Sequence, residues 1–167
     1  MEFSASETYE ADVATAFMLF QDAEATVARA ESLGHKDAEV LANEASPDGG
    51  WVIRSKRTVP LELPGFAKKV LKPNNLTTQT DTWGPEVDGR REGTFVIEVQ
   101  GAPMRVSGTM RLDPTDDGRA TQSVKGDVEV KVPLIGGKIA AWAVGDAQKA
   151  LEGELAFNKR WIEDHRR

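Results

Sequence analysis

The feature that most constrains the fold of this chain is a long C-terminal segment that nothing in the sequence interrupts. From Lys138 to about Arg166 the only weak helix formers are two isolated glycines, Gly145 and Gly153. At about 1.5 Å per residue this segment predicts a helix of roughly 40 Å. Apolar residues recur along it in two adjacent stripes: Ala140, Val144, Ala147, Leu151, Leu155 and Ile162, and Ile139, Trp142, Ala143, Ala150, Phe157 and Trp161. An apolar face this wide is typical of a helix held by a curved sheet.

The segments before this helix alternate apolar and polar residues, as half-buried strands do. The alternation is clearest over residues 94–132, which turn signals at 101–103 and 113–118 divide into three strands. The other strand candidates cover residues 2–10, 36–45, 51–59 and 75–84. One buried and one exposed face is the usual pattern of an antiparallel sheet.

Two short helices are predicted between the first strand and the rest of the sheet. Asp12 is a candidate N-cap for the first helix, and the second runs from Asp22 to Ser32 with Gly34 as its stop. The order is strand, two helices, about six strands and a long helix. This order predicts an α+β fold in which a curved antiparallel sheet of six to seven strands wraps around the C-terminal helix.

The composition excludes several kinds of site and partner, but it does not identify a function. The 167 residues are 40% hydrophobic and 29% charged, which fits one domain over residues 1–167 with a full core. The absence of cysteine excludes disulfides, thiolate metal sites and cysteine nucleophiles. The net charge of -6 argues against nucleic acid as a partner. Two basic groups, Arg54, Lys56 and Arg57, and Lys68, Lys69 and Lys72, are interpreted as solvated surface charge.

No metal, cofactor or membrane segment is indicated. His35 and His165 have no second histidine at metal-ligand spacing and are read as surface residues. Gly136-Gly137-Lys138 lacks the remaining residues of a phosphate-binding loop. No stretch is apolar enough to span a bilayer, and no signal peptide is visible at the N-terminus, so we expect a cytoplasmic protein.

The C-terminal half carries a resemblance to a known superfamily. Its elements are the strand with Val106 and Gly108, the turn at 113–118, and the run of residues 128–139 that leads into the last helix. This pattern resembles the START-like superfamily, also called the SRPBCC or helix-grip fold, and within it an uncharacterised bacterial branch best known from actinobacteria. The resemblance implies a cavity between sheet and helix, which members use for lipids, sterols, quinones, polyketides or plant hormones. It implies no shared catalytic residue.

The predicted cavity walls come from strand positions that avoid charge and from the helix stripe with the smallest side chains. The candidates are Trp51, Trp83, Phe95, Val106, Met110, Trp142, Asp146, Ala150 and Phe157. Asp146 lies near the apolar helix stripe, where its carboxylate would either face the cavity or reach water at the edge of the stripe. The same side chains could instead fill an ordinary core.

Three functions from different classes fit these residues. The preferred hypothesis is binding or carrying of a small hydrophobic ligand that is lipid-, quinone- or polyketide-like. The alternative is a cyclase- or dehydratase-type enzyme that uses the same cavity, with Asp146 as a weak catalytic candidate. The third is an interaction module with a filled core. A cavity separates the first two hypotheses from the third, and a buried carboxyl in that cavity would favour the enzyme.

Overall fold

The computed structural model describes residues 1–165. Its elements, in chain order, are β1 Glu2–Tyr9, α1 Val13–Gln21, α2 Ala23–Ser32, β2 Lys36–Ala45, β3 Trp51–Pro60, β4 Asn74–Trp83, β5 Arg91–Val99, β6 Met104–Pro114, β7 Ala120–Val130 and α3 Gly136–His165. One turn of 3₁₀-helix, Gly65–Ala67, interrupts the loop between β3 and β4. The predicted end of the last helix at Arg166 lies outside the described residues.

The seven strands form one antiparallel sheet in the order β1-β7-β6-β5-β4-β3-β2. Helices α1 and α2 connect β1, at one edge, to β2, at the other, and α3 packs mainly on β1 and β7. The predicted α+β fold, with a curved sheet around a long C-terminal helix, is therefore confirmed. Within the described residues, no helix combines the length and the apolar character needed to cross a membrane.

Local signals in the sequence fix the two short helices. The side chain of Asp12 accepts a hydrogen bond from the backbone N–H of Thr15 at 2.8 Å, and Asp22 accepts one from Glu24 at 2.9 Å. These bonds satisfy N–H groups that the first helical turn leaves free. Gly34, with φ of 81°, ends α2 in the left-handed conformation that glycine adopts without strain. The aromatic face of α1 then packs on Trp83, whose ring lies 5.6 Å from that of Phe17.

Two glycines on neighbouring strands lie where other atoms of the sheet approach the backbone closely. Gly108 of β6 and Gly126 of β7 are directly opposed, and Gly126 is also opposite Phe3 of β1. The ring of Phe3 covers Gly126 so closely that a Cβ atom there would lie 2.3 Å from Cζ of Phe3. A Cβ atom at Gly108 would lie 2.0 Å from the carbonyl oxygen of Lys125. Only glycine fits at either position without a shift of the backbone or the ring.

The last helix begins earlier than the alternation pattern indicates. Strand β7 ends at Val130 instead of Val132, and Gly136 is already the first residue of α3. Gly136 is buried where a Cβ atom would lie 2.8 Å from the carbonyl oxygen of Val130. The glycine therefore allows the helix to start close against the end of the strand.

Candidate functional site

A cavity of about 120 Å³ lies between the concave face of the sheet, α2 and α3. Its volume is slightly below the ~150 Å³ of an engineered apolar cavity that takes up benzene. Most of its wall is apolar and comes from strands on one side and α3 on the other. Among these side chains are Phe3, Phe95, Val106, Met110, Ala150 and Leu151.

The sequence explains why this space stays open. Val106 and Met110 belong to the inward-facing residues of β6, and both are 6% exposed. On the facing helix, Ala147 and Ala150 occupy the positions one turn before Leu151 and Glu154. Two methyl groups at the point where the helix crosses the sheet leave a gap that larger side chains would fill.

The nine predicted wall residues fall into two groups in the structure. Phe95, Val106, Met110 and Ala150 line the cavity. Trp83 is buried beneath α1, and Trp51 is partly buried with its indole N–H donating to Asn43 at 2.6 Å. The other three lie on α3 away from the cavity lining. Trp142 packs between the main hydrophobic core and a smaller one formed by Ala67, Leu71, Val99 and Ile139. Phe157 stacks on Trp161, and Asp146 is exposed.

Four charged side chains from four different elements line one part of the cavity: Arg29 of α2, Arg57 of β3, Asp81 of β4 and Glu154 of α3. We refer to these four as the charged cluster. Within residues 1–165, no nitrogen and oxygen of the cluster approach within the 4.0 Å of an ion pair. The charges therefore act on each other across a gap.

Burial dominates the electrostatics of the two carboxyls. It raises the pKa of Asp81 and of Glu154, while the charges of Arg29 and Arg57 oppose that rise for both. Burial likewise lowers the pKa of the Arg57 guanidinium, which the two carboxylates counteract. The four side chains are partly buried, and in this partly desolvated place opposite charges compensate each other in part.

A buried chain of hydrogen bonds holds Arg29 in place. Its Nε donates to Oδ1 of Asn158 at 2.9 Å, and Nδ2 of Asn158 donates to Oε1 of Gln122 at 3.2 Å. The hydroxyl of Tyr9 also donates to Gln122. Burial raises the pKa of Tyr9, so its hydroxyl keeps the proton that it donates. The chain joins β1, β7, α3 and α2, and its members Arg29, Gln122 and Asn158 form part of the cavity wall.

A smaller crevice of about 30 Å³ adjoins the cavity, and the charged cluster lines both. The crevice leads between α2, β2 and β3 toward the exposed residue Glu39. His35 lies in the wall shared by the two spaces and is partly buried, contrary to its interpretation as a surface residue. Burial, with a smaller effect of the charge of Arg57, lowers the pKa of His35 to about 4.

The charged cluster is not predicted from the sequence, and the interpretation of Arg57 as solvated surface charge is wrong. Arg57 was assigned to a solvated basic group, but it has the same strand parity as Trp51 and Ile53 and lines the cavity. Asp81 likewise shares its parity with Trp83. Glu154 follows Ala150 by four residues, which places it on the small-residue face of the helix. Strand parity and helical spacing could therefore have identified three of the four residues of the charged cluster, namely Arg57, Asp81 and Glu154.

Nothing in the described part of the chain resembles a metal centre. No group of three or more histidine, aspartate or glutamate side chains within residues 1–165 could hold an ion. The cavity instead offers an apolar wall with a charged and amide-rich region at one part of it, which suits an organic molecule that is mostly apolar.

A curved antiparallel sheet that wraps around a long C-terminal helix is the helix-grip fold. The family described as "Protein of unknown function (DUF2505)" matches residues 4–162, and the chain belongs to that family. An uncharacterised protein of Mycobacterium tuberculosis is 24% identical over 169 residues, which cover 96% of this chain and 95% of the relative.

Solved structures share the fold at low sequence identity. TTHA0849 from Thermus thermophilus is 16% identical and matches with a TM-score of 0.71 over 100% of both chains. Human STARD10 matches with a TM-score of 0.62 and 11% identity over 98% of this chain and 66% of its own. The Zhui aromatase/cyclase from a Streptomyces species matches with a TM-score of 0.57 and 16% identity over 100% of this chain and 96% of its own. At these identities the likeness concerns the fold.

Proposed function

We propose that the protein binds a small, largely apolar molecule in the cavity between the sheet and α3. The observation that carries this proposal is the cavity of about 120 Å³ itself, in a chain long enough to fill its core completely. Unfilled apolar space costs dispersion contacts, so a cavity of this size weighs against an interaction module with a filled core. The START-like resemblance implies the same use of this space.

Apolar contact would supply most of the affinity. Burial of apolar surface contributes roughly 25 cal/mol per Å² before the costs of association are subtracted. The side chain of Met110 is flexible and polarisable, so it can adapt to ligands of different outline. A lipid-, quinone- or polyketide-like ligand larger than one ring would enter by displacing mobile side chains such as this one.

The test uses a substitution that fills the cavity and a matched one that does not. Ala150 lines the cavity, whereas Ala156, on the same helix, is exposed. We expect Ala150→Trp to abolish binding of toluene, followed by chemical-shift changes of the backbone amides, and Ala156→Trp to leave it unchanged. Uptake of toluene by a folded Ala150→Trp variant would contradict the proposal. Native mass spectrometry of the purified protein would show whether it retains a natural ligand.

A cyclase- or dehydratase-type enzyme is the second candidate. It is favoured by the two carboxyls in the cavity, Asp81 and Glu154, because a carboxyl with a raised pKa can donate a proton to a ligand oxygen. Partial burial also raises the pKa of Asp146, the candidate predicted from the sequence, but its side chain is largely exposed and does not line the cavity. A decisive assay would incubate the protein with a synthetic polyketone chain and compare the products with those of Glu154→Gln. Identical product distributions with and without protein would remove this candidate.

A further inference from the structure

The charged cluster presents more hydrogen-bonding capacity to the cavity than the protein itself uses. Nη2 of Arg29 is buried without a hydrogen-bond partner in the described part of the chain. Within residues 1–165, the side chains of Arg57 and Glu154 form no hydrogen bond at all, and Asp81 accepts one, from Gln79 at 2.9 Å. Buried polar groups in proteins are nearly always paired, so the unpaired Nη2 of Arg29 calls for an explanation, and it lies beside three partly buried charged side chains that also have unused hydrogen-bonding capacity.

Structural stabilisation alone does not explain this arrangement. Buried ion pairs offset the cost of desolvation only when their geometry is good and their remaining lone pairs and protons are satisfied. Here the guanidiniums and carboxylates stay more than 4.0 Å apart in the described structure. Separated in this way, they leave room for a polar group between donors and acceptors.

The composition of the cluster selects the kind of group that fits. When Asp81 and Glu154 are ionised, the two guanidiniums and two carboxylates balance in formal charge, and a guanidinium in a protein keeps its charge. A ligand carboxylate or ammonium would then add an unbalanced charge to a partly desolvated site, which is costly. An uncharged oxygen avoids that cost, because a carbonyl accepts from Arg29 or Arg57 and a hydroxyl also donates to Glu154.

The cluster also has the right position to orient a ligand. It lies where the cavity meets the outward crevice, while Val106, Met110 and Ala150 form apolar wall elsewhere in the same cavity. A molecule with a polar group at one end would place that group at the cluster and its apolar body along β6 and α3. The hydrogen bond that Nε of Arg29 donates to Asn158 fixes the guanidinium in advance, which reduces the entropy lost on binding.

We propose that Arg29, Arg57, Asp81 and Glu154 form a head-group subsite that binds the uncharged oxygen of an apolar hydroxy or carbonyl compound. The inference rests on the proposed ligand-binding function and adds the chemical class of the ligand. It distinguishes phenol-, alcohol- and ketone-like molecules from fatty acids and from amines.

Four probes that share one methyl-substituted ring test the subsite. They are toluene, p-cresol, p-toluate and p-methylbenzylammonium, titrated at neutral pH by NMR. One hydrogen bond to a charged group is worth enough for p-cresol to bind about tenfold more tightly than toluene. We expect both ions to bind more weakly than toluene. Equal affinity of toluene and p-cresol, or tightest binding by either ion, would overturn the subsite and leave the ligand-binding function intact. Binding of none of the four would overturn both.

A substitution tests the charge balance directly. Glu154→Gln keeps the shape of the side chain and leaves the cluster with one excess positive charge, so we expect p-toluate affinity to rise about tenfold. Glu152→Gln, at an exposed position on the same helix, should leave all four affinities unchanged. Unchanged p-toluate affinity in folded Glu154→Gln would count against the subsite. The wild-type titrations decide the question by themselves if the variant fails to fold.

Discussion

Nε of Arg29 on α2 donates a hydrogen bond to the side-chain oxygen of Asn158 on α3 at 2.9 Å. Asn158 is 2% exposed, and its Nδ2 donates onward to Gln122 at 3.2 Å. One amide therefore connects the charged cluster to the buried hydrogen bonds in the cavity wall. The stability of the fold and the preparation of the candidate subsite depend on the same side chain.

Replacement of Asn158 by leucine should destabilise the protein strongly. The change leaves Gln122 and the Nε of Arg29 without this partner in a buried place, and each unsatisfied group costs about 1–3 kcal/mol. We expect a loss of at least about 2 kcal/mol in the free energy of unfolding, measured with urea. The control is Lys159→Ala, which removes only a surface ion pair with Glu7 and should cost less than about 1 kcal/mol. Equal effects of the two changes would show that the buried hydrogen bonds contribute little.

Val106→Asp should unfold or severely destabilise the protein. Val106 is 6% exposed and lines the apolar part of the cavity, so a carboxylate there has no partner. Burial of an unpaired charge costs several kcal/mol, which is comparable with the total stability of many domains. Thr109→Asp is the matched change, at an exposed position of the same strand opposite Lys125. Thermal unfolding of both variants tests the strand register, and an unchanged melting temperature in Val106→Asp would contradict it.

His35 should make the protein less stable in mild acid. Its pKa is lowered from 6.5 to about 4 in the folded state, so the unfolded chain takes up a proton first as the pH falls. The stability that neutral His35 contributes is present above pH 6.5 and is lost as the pH falls toward 4. We therefore expect the melting temperature of the wild type to fall more steeply over this range than that of His35→Asn. Parallel pH profiles would mean that the ring is solvated.

Glu154 should have the opposite effect on the pH dependence of stability and should make the protein more stable in mild acid. Its folded-state pKa is raised from 4.5, so the folded protein binds this proton more tightly than the unfolded chain does. The resulting stability is present below pH 4.5 and is lost as the pH rises through the raised pKa. The free energy of unfolding of the wild type, relative to Glu154→Gln, should therefore increase on acidification from neutral pH. A relative decrease would indicate that the attraction to Arg29 and Arg57 outweighs burial.

The fold could be predicted from the sequence because its main signals are local and repeated. Alternation along β5, β6 and β7 and the uninterrupted length of α3 each involve many residues, so an error at one position does not change the result. The predicted ends of the strands and helices are less accurate. The last helix is predicted from Lys138, yet it begins at Gly136, because the close approach of this glycine to Val130 depends on tertiary packing.

The sequence predicts some of the residues that line the cavity and not others. Strand parity predicts Val106 and Met110, whereas the charge of Arg57 leads to its interpretation as solvated surface charge, and Asp81 has no predicted role. Arg29 carries no signal of this kind. It lies on α2 and donates a hydrogen bond to Asn158, 129 residues later in the chain. A pairing over that distance cannot be read from one sequence.

The ring of Phe3 contributes to the cavity wall, and it rests on Gly126, which is not part of that wall. A methyl group at Gly126 would collide with the ring, and the ring would have to swing toward the space that a ligand would use. The volume of the cavity thus depends on a residue that does not line it. We expect Gly126→Ala to change the shape of the cavity without changing any residue of its wall.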